Sequence, residues 1–298
     1  MKDIISIVIR LTISCLLAAL VMGTAFVFTN KAKKHNEHVR ESQTMLSLLG
    51  YSKEKPAPAS LGLHPIFRYV VTEGEKQNIA YLLTSTGNGK ESFLLVTLDL
   101  AGKMVDKKEV AISEEKIEER EDRDKAVQAA VGAGKDVRFA DHTVVVTDNG
   151  KRVAYLLGGK FPGFKTFISA FVAVDPQFAM KGLEVLEHEE DPGLGAEIEK
   201  NYFKKQFIGK PFSVLKDLKV VKEPQPAEYS QALDGDLSKA DVMAVIDRYK
   251  DKDIYALTGA TISSRMLTEG VKGMVKKFAY RIDILDTVLK EQHIAVSF

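Results

Sequence analysis

The chain has 298 residues, of which 45% are hydrophobic and 28% are charged, and its formal net charge is +1. That length accommodates one large domain or two smaller ones. A near-neutral chain has no basic face with which to contact phosphates, which argues against nucleic acid as a partner.

The first 30 residues predict a transmembrane anchor. Residues 11–28 contain no charge and follow a mostly apolar stretch. About 20 apolar residues of helix span a hydrocarbon core ~30 Å thick, and Arg10 can extend its charge to the headgroups. A cleaved signal peptide would need its small-residue site at 23–25, but the apolar run continues beyond it. A buried core helix is the other alternative, and we predict an uncleaved anchor over residues 1–30.

Cysteine and histidine offer little metal or disulfide chemistry. The only cysteine, Cys15, lies in the predicted span, so the rest of the chain has no thiol for a disulfide or an iron–sulfur cluster. Among the six histidines only His35 and His38 are close in sequence, and they stand in a charged stretch beside the membrane. We therefore predict no metal site.

Residues 31–60 are predicted to form a helix and a linker. Apolar residues up to Leu49 continue the helix of the anchor, and Gly50 ends it. The prolines of 55–60 then break the helix. The globular part is expected to comprise a β-rich segment at 61–140 and a second segment at 141–298.

Two stretches of the globular part resemble one another, 70–83 and 145–157. Each is predicted to form a strand, a polar turn containing glycine, and a second strand. A further β-rich run follows each of them, at 93–98 and at 167–174. Hairpins also resemble one another by chance, so a degenerate internal repeat and a chance likeness both remain open.

The other predicted elements are mainly helical. Residues 113–131 are predicted to form a charged, solvated helix that Ser113 can cap. Further along, the pattern predicts helices over 196–207 and 262–278, a short helix or strand over 211–221, and a loop over 223–226. It also predicts a helix over 240–249, where the valine and isoleucine content leaves a strand open. Antiparallel hairpins with separate helices predict an α+β fold with an antiparallel sheet.

The segment 258–264, with the sequence TGATISS, opens the last predicted helix. Its small residues allow a ligand close to the backbone, and the free N–H groups of a helix start favour a phosphate. Hydroxyl groups surround Thr261 on both sides. The alternative is an ordinary cap, in which Thr258 or Thr261 accepts a hydrogen bond from a nearby amide.

A second motif, EHEEDPGLGAE, occupies residues 187–197. The Pro-Gly pair at 192–193 favours a turn, Gly195 would let the backbone approach a flat ligand, and Leu194 would project as an apolar lid. Adjacent carboxylates precede the turn: Glu189, Glu190 and Asp191. Such a group usually marks a solvated turn, so we assign no catalytic residue.

Together the two motifs resemble the FMN-binding domain shared by the C subunit of the sodium-pumping NADH:quinone reductase and the G subunit of the Rnf ferredoxin:NAD complex. In that family an [S/T]-G-A-T-x-[S/T]-[S/T] motif carries FMN as a phosphoester on its second hydroxyl residue, which corresponds to Thr261. The family's E-T-P-G-L-G turn, which lines the flavin, is similar to 190–195. The resemblance implies a cofactor site formed by Thr261 with Thr258, Gly259, Ala260, Ser263, Ser264, Glu190, Asp191, Gly193, Leu194 and Gly195.

The resemblance implies an electron-transfer subunit with covalent FMN in an ion-translocating oxidoreductase of the Rnf type, not catalytic alone. It also implies a single-pass protein of the inner membrane with a periplasmic soluble domain. The implied partners are other membrane subunits, the lipid bilayer and a flavin transferase. The C subunit of a sodium-pumping NADH:quinone reductase remains an alternative, as does a membrane-anchored assembly or sensory protein that has lost its flavin.

The chain departs from the family pattern at several places. Asp191 replaces the family's threonine, and Tyr255 stands where an acid is expected, with Asp253 two positions earlier. The stretch 223–252 is longer than in the family, so the phosphate-binding lysine is not assigned, and the candidates are Lys219 and Lys222.

Charge and resemblance disagree on the orientation in the membrane. Several cations in 31–40 follow the apolar span, and a count of flanking cations would keep the large domain in the cytoplasm. The resemblance places that domain on the outer side, and we predict the outer side because the other proteins of a complex can hold one member against a weak local bias.

Overall fold

The computed structural model describes residues 2–86, 91–235 and 239–298. The chain divides into two compact units, Met1–Ser47 and Leu48–Phe298. The first unit belongs to one long helix, α1 (Lys2–Leu48). Within it, Ile4–Phe26 is long and apolar enough to cross a membrane. The predicted continuation of the anchor helix is confirmed, and the chain turns after it at Gly50, whose φ of +86° favours glycine.

The second unit is built on an eight-stranded antiparallel sheet. Its strands are β1 (Leu61–Glu73), β2 (Lys76–Ser85), β3 (Ser92–Leu98), β4 (Met104–Val110), β5 (Asp136–Asp148), β6 (Lys151–Pro162), β7 (Phe167–Val174) and β8 (Met180–Glu187). They lie in the order β4-β3-β2-β1-β5-β6-β7-β8. The predicted hairpins and the α+β fold with its antiparallel sheet are confirmed.

Two four-stranded meanders make up this sheet, and they meet at β1 and β5. The strands β5, β6 and β7 begin at 136, 151 and 167, each 75 residues after β1, β2 and β3, which begin at 61, 76 and 92. Phe67 and His142, separated by the same interval, lie opposite each other across the β1–β5 pair. A duplicated unit whose copies pair about a two-fold axis would produce this arrangement. The repeat stays a prediction, and so does the division at 140/141, which falls within β5.

One face of the first meander is covered by α2 (Glu114–Ile117) and α3 (Arg120–Val131). The prediction of one helix over this stretch was wrong, because the chain is extended at Glu119, and Ser113 makes no capping hydrogen bond. Arg123 stabilises the break: its buried guanidinium donates to the Ile117 carbonyl at 2.6 Å and to the Tyr69 hydroxyl at 3.1 Å. The sequence had indicated a solvated charge here, but the guanidinium of Arg123 is buried.

The other face carries α8 (Thr261–Glu291), which contacts both meanders and ends well beyond the predicted residue 278. Its buried residues recur at helical spacing: Leu267, Val271, Val275, Phe278, Ile282, Leu285 and Leu289. Gly270 lowers the helix propensity of α8. Glycine is nevertheless required there, because a Cβ would lie 2.4 Å from the ring of Phe161.

Short elements connect β8 to α8. They are a 3₁₀ turn (Gly195–Glu199), α4 (Asn201–Lys204), a second 3₁₀ turn (Lys205–Phe207), α5 (Phe212–Leu215), β9 (Val220–Val221), α6 (Ala227–Asp234), α7 (Lys239–Tyr249) and β10 (Ile254–Tyr255). The predicted helix over 196–207 is interrupted by extended backbone at Lys200, although its apolar residues Ile198, Phe203 and Phe207 are fully buried. The predicted helix over 240–249 is confirmed as α7, and β9 pairs with β10 in parallel.

The sheet has a charged edge at β4. Its sequence, MVDKKEV, alternates exposed and half-buried side chains before the buried Val110. Lys107 and Glu109 are exposed, and Lys108 reaches back to donate to the Ala130 carbonyl at 3.0 Å. A register shift between Thr97 and Leu98 interrupts the pairing of β3 with this edge.

Candidate functional site

A cleft of about 740 Å³ lies at the start of α8. Its walls come from the turn after β8, from the loop after β9 and from β10 with the segment that follows it. Four of the predicted site residues line it: Gly193, Thr258, Gly259 and Thr261. The volume is in the range of roughly 300–1,000 Å³ that is usual for ligand pockets.

The start of α8 has no side-chain cap among the described residues. The N-cap residue is Ala260, and no side chain accepts a hydrogen bond from the first amides. Capping by Thr258 or Thr261 is therefore not observed. Free N–H groups and the helix dipole together favour an anion at this point, where Thr261 is half-buried.

Ser264 holds the loop behind this helix start. Its buried hydroxyl donates to the Ala260 carbonyl at 3.0 Å and accepts from the Leu257 amide at 3.0 Å. The hydroxyl is thus engaged within the chain. Ala260 is itself buried, so both residues shape the backbone of the cleft without lining it.

Glu190 joins the two motifs. Its buried carboxylate accepts hydrogen bonds from the Ser263 hydroxyl and from the Phe164 amide, the latter at 2.7 Å. A Cβ at Gly195 would lie 2.6 Å from both Glu190 Oε2 and Ser263 Oγ. The missing side chain of Gly195 makes room for this contact, whereas the sequence had suggested that it makes room for a ligand.

Leu194 and Asp191 lie at the rim. Leu194 is 47% exposed, and its Cδ2 would be 3.0 Å from a Cβ at Gly259, so the two motifs also meet here. Asp191 forms an ion pair with Lys165, and its carbonyl accepts from the amides of Leu194 and Ala196. The acid that replaces the family's threonine is therefore paired within the chain.

His188 is a positioning residue that the sequence did not indicate. Its Nδ1 accepts from the Glu190 amide at 3.1 Å, which places the proton on Nε2, 2.9 Å from Glu199 Oε1. The side chain thus joins the end of β8 to the 3₁₀ turn that follows. Because the partners are brought together by the turn, no spacing in the sequence identifies this contact.

The structure distinguishes the two candidate lysines. Lys222 lines the cleft together with Thr258 and Thr261, and Lys219 does not. Instead, the Lys219 amide donates to Asp253 Oδ1 at 2.9 Å, where β9 meets β10. Of the two candidates, Lys222 is therefore the one available to an anion in the cleft.

Comparisons with known proteins agree with the resemblance that the two motifs carry. Residues 163–276 match the family model of the FMN-binding domain. The chain is 31% identical over 128 residues to the G subunit of the proton-translocating ferredoxin:NAD(+) oxidoreductase complex of Clostridium ljungdahlii, an alignment that covers 43% of this chain and 54% of the relative. The chain thus spans about half the length of that curated relative.

Two solved structures are also similar. NqrC of Shewanella oneidensis aligns with 21% identity and a TM-score of 0.34, over 47% of this chain and 57% of that one. The C subunit of the Na(+)-translocating NADH-quinone reductase of Parabacteroides distasonis aligns with 20% identity and a TM-score of 0.34, over 64% and 76%.

Proposed function

We propose that this chain, whose residues 163–276 match the FMN-binding domain, carries FMN covalently on Thr261 and relays electrons in a membrane-bound oxidoreductase of the Rnf type. The observation that carries the proposal is the place of Thr261, half-buried at the uncapped start of α8 and lining the cleft. The Rnf type is supported by the relative in Clostridium ljungdahlii, which belongs to a proton-translocating ferredoxin:NAD(+) oxidoreductase complex.

The cleft fits FMN in size and offers two features that favour its phosphate, while the carboxylates of Glu197 and Glu223 line the cleft as well. Its volume of about 740 Å³ suits a mononucleotide, and it presents both a helix start and Lys222 to a phosphate. Bound FMN supplies the redox chemistry, since its isoalloxazine ring accepts and releases electrons, while the protein supplies position and electrostatics.

The side chains behind the cleft would keep its walls in place. The Glu190–Ser263 contact holds the turn of 190–195 against the start of α8, and Leu194 packs over Gly259. A site held by such buried supporting contacts positions a ligand more reproducibly than a free loop does. These residues therefore act by orienting the walls of the cleft.

The attachment site is tested by Thr261→Ala. Removing the hydroxyl that forms the phosphoester should abolish flavin fluorescence of the chain on a denaturing gel. Thr258→Ala, at the other threonine of the motif, is the matched control and should retain the fluorescence. A fluorescent Thr261→Ala protein of normal yield would overturn the assignment.

We propose that a flavin transferase performs the attachment, because a phosphoester between a threonine and FMN does not form spontaneously. Co-expression with such a transferase should give the fluorescent band, and expression without one should give a folded but colourless chain. A fluorescent band in a host that lacks any transferase would contradict this step.

We further propose that α1 anchors the chain in the membrane and that the FMN domain lies on the outer side. A covalent tether is useful there, because a dissociated flavin would be lost outside the cytoplasm. An alkaline phosphatase fused after Phe298 should be active in a bacterial host. An intact but inactive fusion would place the domain in the cytoplasm, as the cations of 31–40 alone would favour.

A further inference from the structure

Tyr255 lies in the wall of the cleft, at the position where the family has an acid. It follows Ile254 in β10, and Ile254 is fully buried in the core. Because successive side chains of a strand point to opposite sides, the Tyr255 side chain is directed away from the core that encloses Ile254. It packs against the buried cluster of α6 and α7, and Tyr255 lines the cleft together with Thr258 and Thr261.

The backbone of Tyr255 is fixed by one buried side chain. Gln206 is 2% exposed; its side-chain oxygen accepts from the Tyr255 amide at 2.8 Å, and its side-chain nitrogen donates to the Tyr255 carbonyl at 3.2 Å. The next amide, that of Ala256, donates to the Val221 carbonyl of β9 at 2.9 Å. The position of Tyr255 relative to the cleft is therefore set on both sides of the residue.

The ring of Tyr255 is supported by two tyrosines from the enlarged segment 223–252. Tyr229 of α6 and Tyr249 of α7 stack with their centroids 4.2 Å apart. They meet Tyr255 at centroid distances of 6.2 and 6.5 Å and interplanar angles of 69° and 67°, the edge-to-face geometry that aromatic pairs favour. The α6–α7 hairpin thus packs behind a ring that faces the cleft.

Asp253 and Tyr202 are less suited than Tyr255 to contact a ligand in the cleft. The Asp253 carboxylate accepts a hydrogen bond from the backbone amide of Lys219, so it does not take the place of the family's acid in the cleft wall. Tyr202 also lines the cleft, but its hydroxyl donates to Glu197 Oε2 at 2.8 Å, and it packs against the cores on both sides of it.

We infer that Tyr255 is the residue on which the isoalloxazine ring of the flavin rests, and that the α6–α7 hairpin holds it there. The inference rests on the proposed function, since it takes the flavin to be attached at Thr261. At the position where the family pattern has an acid, this chain would then offer the flavin an aromatic ring.

Fluorescence tests the contact directly. A tyrosine that touches an isoalloxazine ring quenches its emission, because the excited flavin takes an electron from the phenol and returns it, with no net change in either group. The full-length flavinylated chain in detergent should therefore emit weakly when native and several-fold more strongly once denatured. Tyr255→Phe keeps the ring but removes the easily oxidised phenol, so its native emission should be several-fold above that of the wild type.

Two variants serve as controls. Tyr202→Phe should leave the native emission at the wild-type level, and Tyr255→Trp should keep it quenched, because indole is also readily oxidised. Equal native emission from the wild type and Tyr255→Phe, at equal flavin content and with matching circular dichroism spectra, would overturn the inference. An absence of fluorescence on the denaturing gel after co-expression with the transferase would overturn the covalent attachment instead, so the two failures are distinguishable.

Discussion

Gly195→Ala places one methyl group between the two motifs of the site. The new Cβ would lie 2.6 Å from Glu190 Oε2, 2.6 Å from Ser263 Oγ and 3.0 Å from Glu190 Cβ. The carboxylate has little freedom to withdraw, because its other oxygen accepts from the Phe164 amide at 2.7 Å. The contact between Glu190 and Ser263 must therefore open to admit the methyl group.

Two effects determine how much Gly195→Ala lowers the free energy of unfolding. Overpacking of a filled interior costs typically about 1–3 kcal/mol, and a lost hydrogen bond to a charged group costs roughly 1.5–3 kcal/mol. Since partial relaxation relieves one term at the expense of the other, we expect a loss of roughly 2–5 kcal/mol in the free energy of unfolding. For a unit of this size, that corresponds to a fall in Tm on the order of 10 °C.

Gly193→Ala provides the matched control within the same turn. Nothing lies within 4 Å of a Cβ at Gly193, but its φ is +73°, so alanine there costs only the left-handed strain of about 1–2 kcal/mol. Urea denaturation of the detergent-solubilised chain, followed by circular dichroism, measures both variants. Gly195→Ala should also cost less in a Ser263→Ala background than in the wild type, because one of the two close contacts is then absent.

Two results would refute this reasoning. One is a Gly193→Ala variant destabilised as much as Gly195→Ala, which would mean that backbone strain dominates the turn. The other is strict additivity of Gly195→Ala with Ser263→Ala, since residues in contact normally show a coupling of roughly 0.5–3 kcal/mol.

Two further predictions concern lysines. Lys222→Ala should lower the yield of flavin attachment several-fold when the transferase is limiting, whereas Lys219→Ala should not, as measured by gel fluorescence; equal yields would contradict the assignment of Lys222 to the phosphate. Burial lowers the pKa of Lys210 from 10.5 to about 8. Between those pH values the unfolded chain binds a proton that the folded chain has released, so Lys210 contributes a rise of up to about 3 kcal/mol to the free energy of unfolding, opposed near pH 10 by buried tyrosines of raised pKa such as Tyr69 and Tyr229. That rise should be missing from a pH series of Lys210→Met.

Much of the fold could be predicted from local patterns. The apolar run of α1, the alternation in the hairpins and the α7 pattern each depend on residues near one another in sequence. The full length of α8 was also within reach, because Ile282, Leu285 and Leu289 continue its apolar spacing beyond 278. The break before α3 was not, because it depends on the contact of Arg123 with Tyr69, 54 residues away.

The candidate site likewise has a part that local sequence could predict and a part that it could not. The motif around Thr261 could be recognised from its hydroxyl and small residues, since a helix start and its ligand groups are local. The role of Glu190 could not, because its partner Ser263 is 73 residues away and only the fold brings them together. Similarly, Tyr255 departs from the family pattern in the sequence, but its support by Tyr229 and Tyr249 depends on the packing of α6 and α7.

The charged edge strand β4 has a consequence for how the molecule meets its neighbours. An exposed strand edge offers unpaired N–H and C=O groups to any other strand, which favours uncontrolled addition of further chains. Here a partner that added a strand would have to bury the exposed charges of Lys107 and Glu109 and follow an edge whose pairing is already irregular. Addition of a strand at this edge is thus disfavoured, and a protein that meets the sheet at β4 should contact it through side chains instead of through backbone strand pairing.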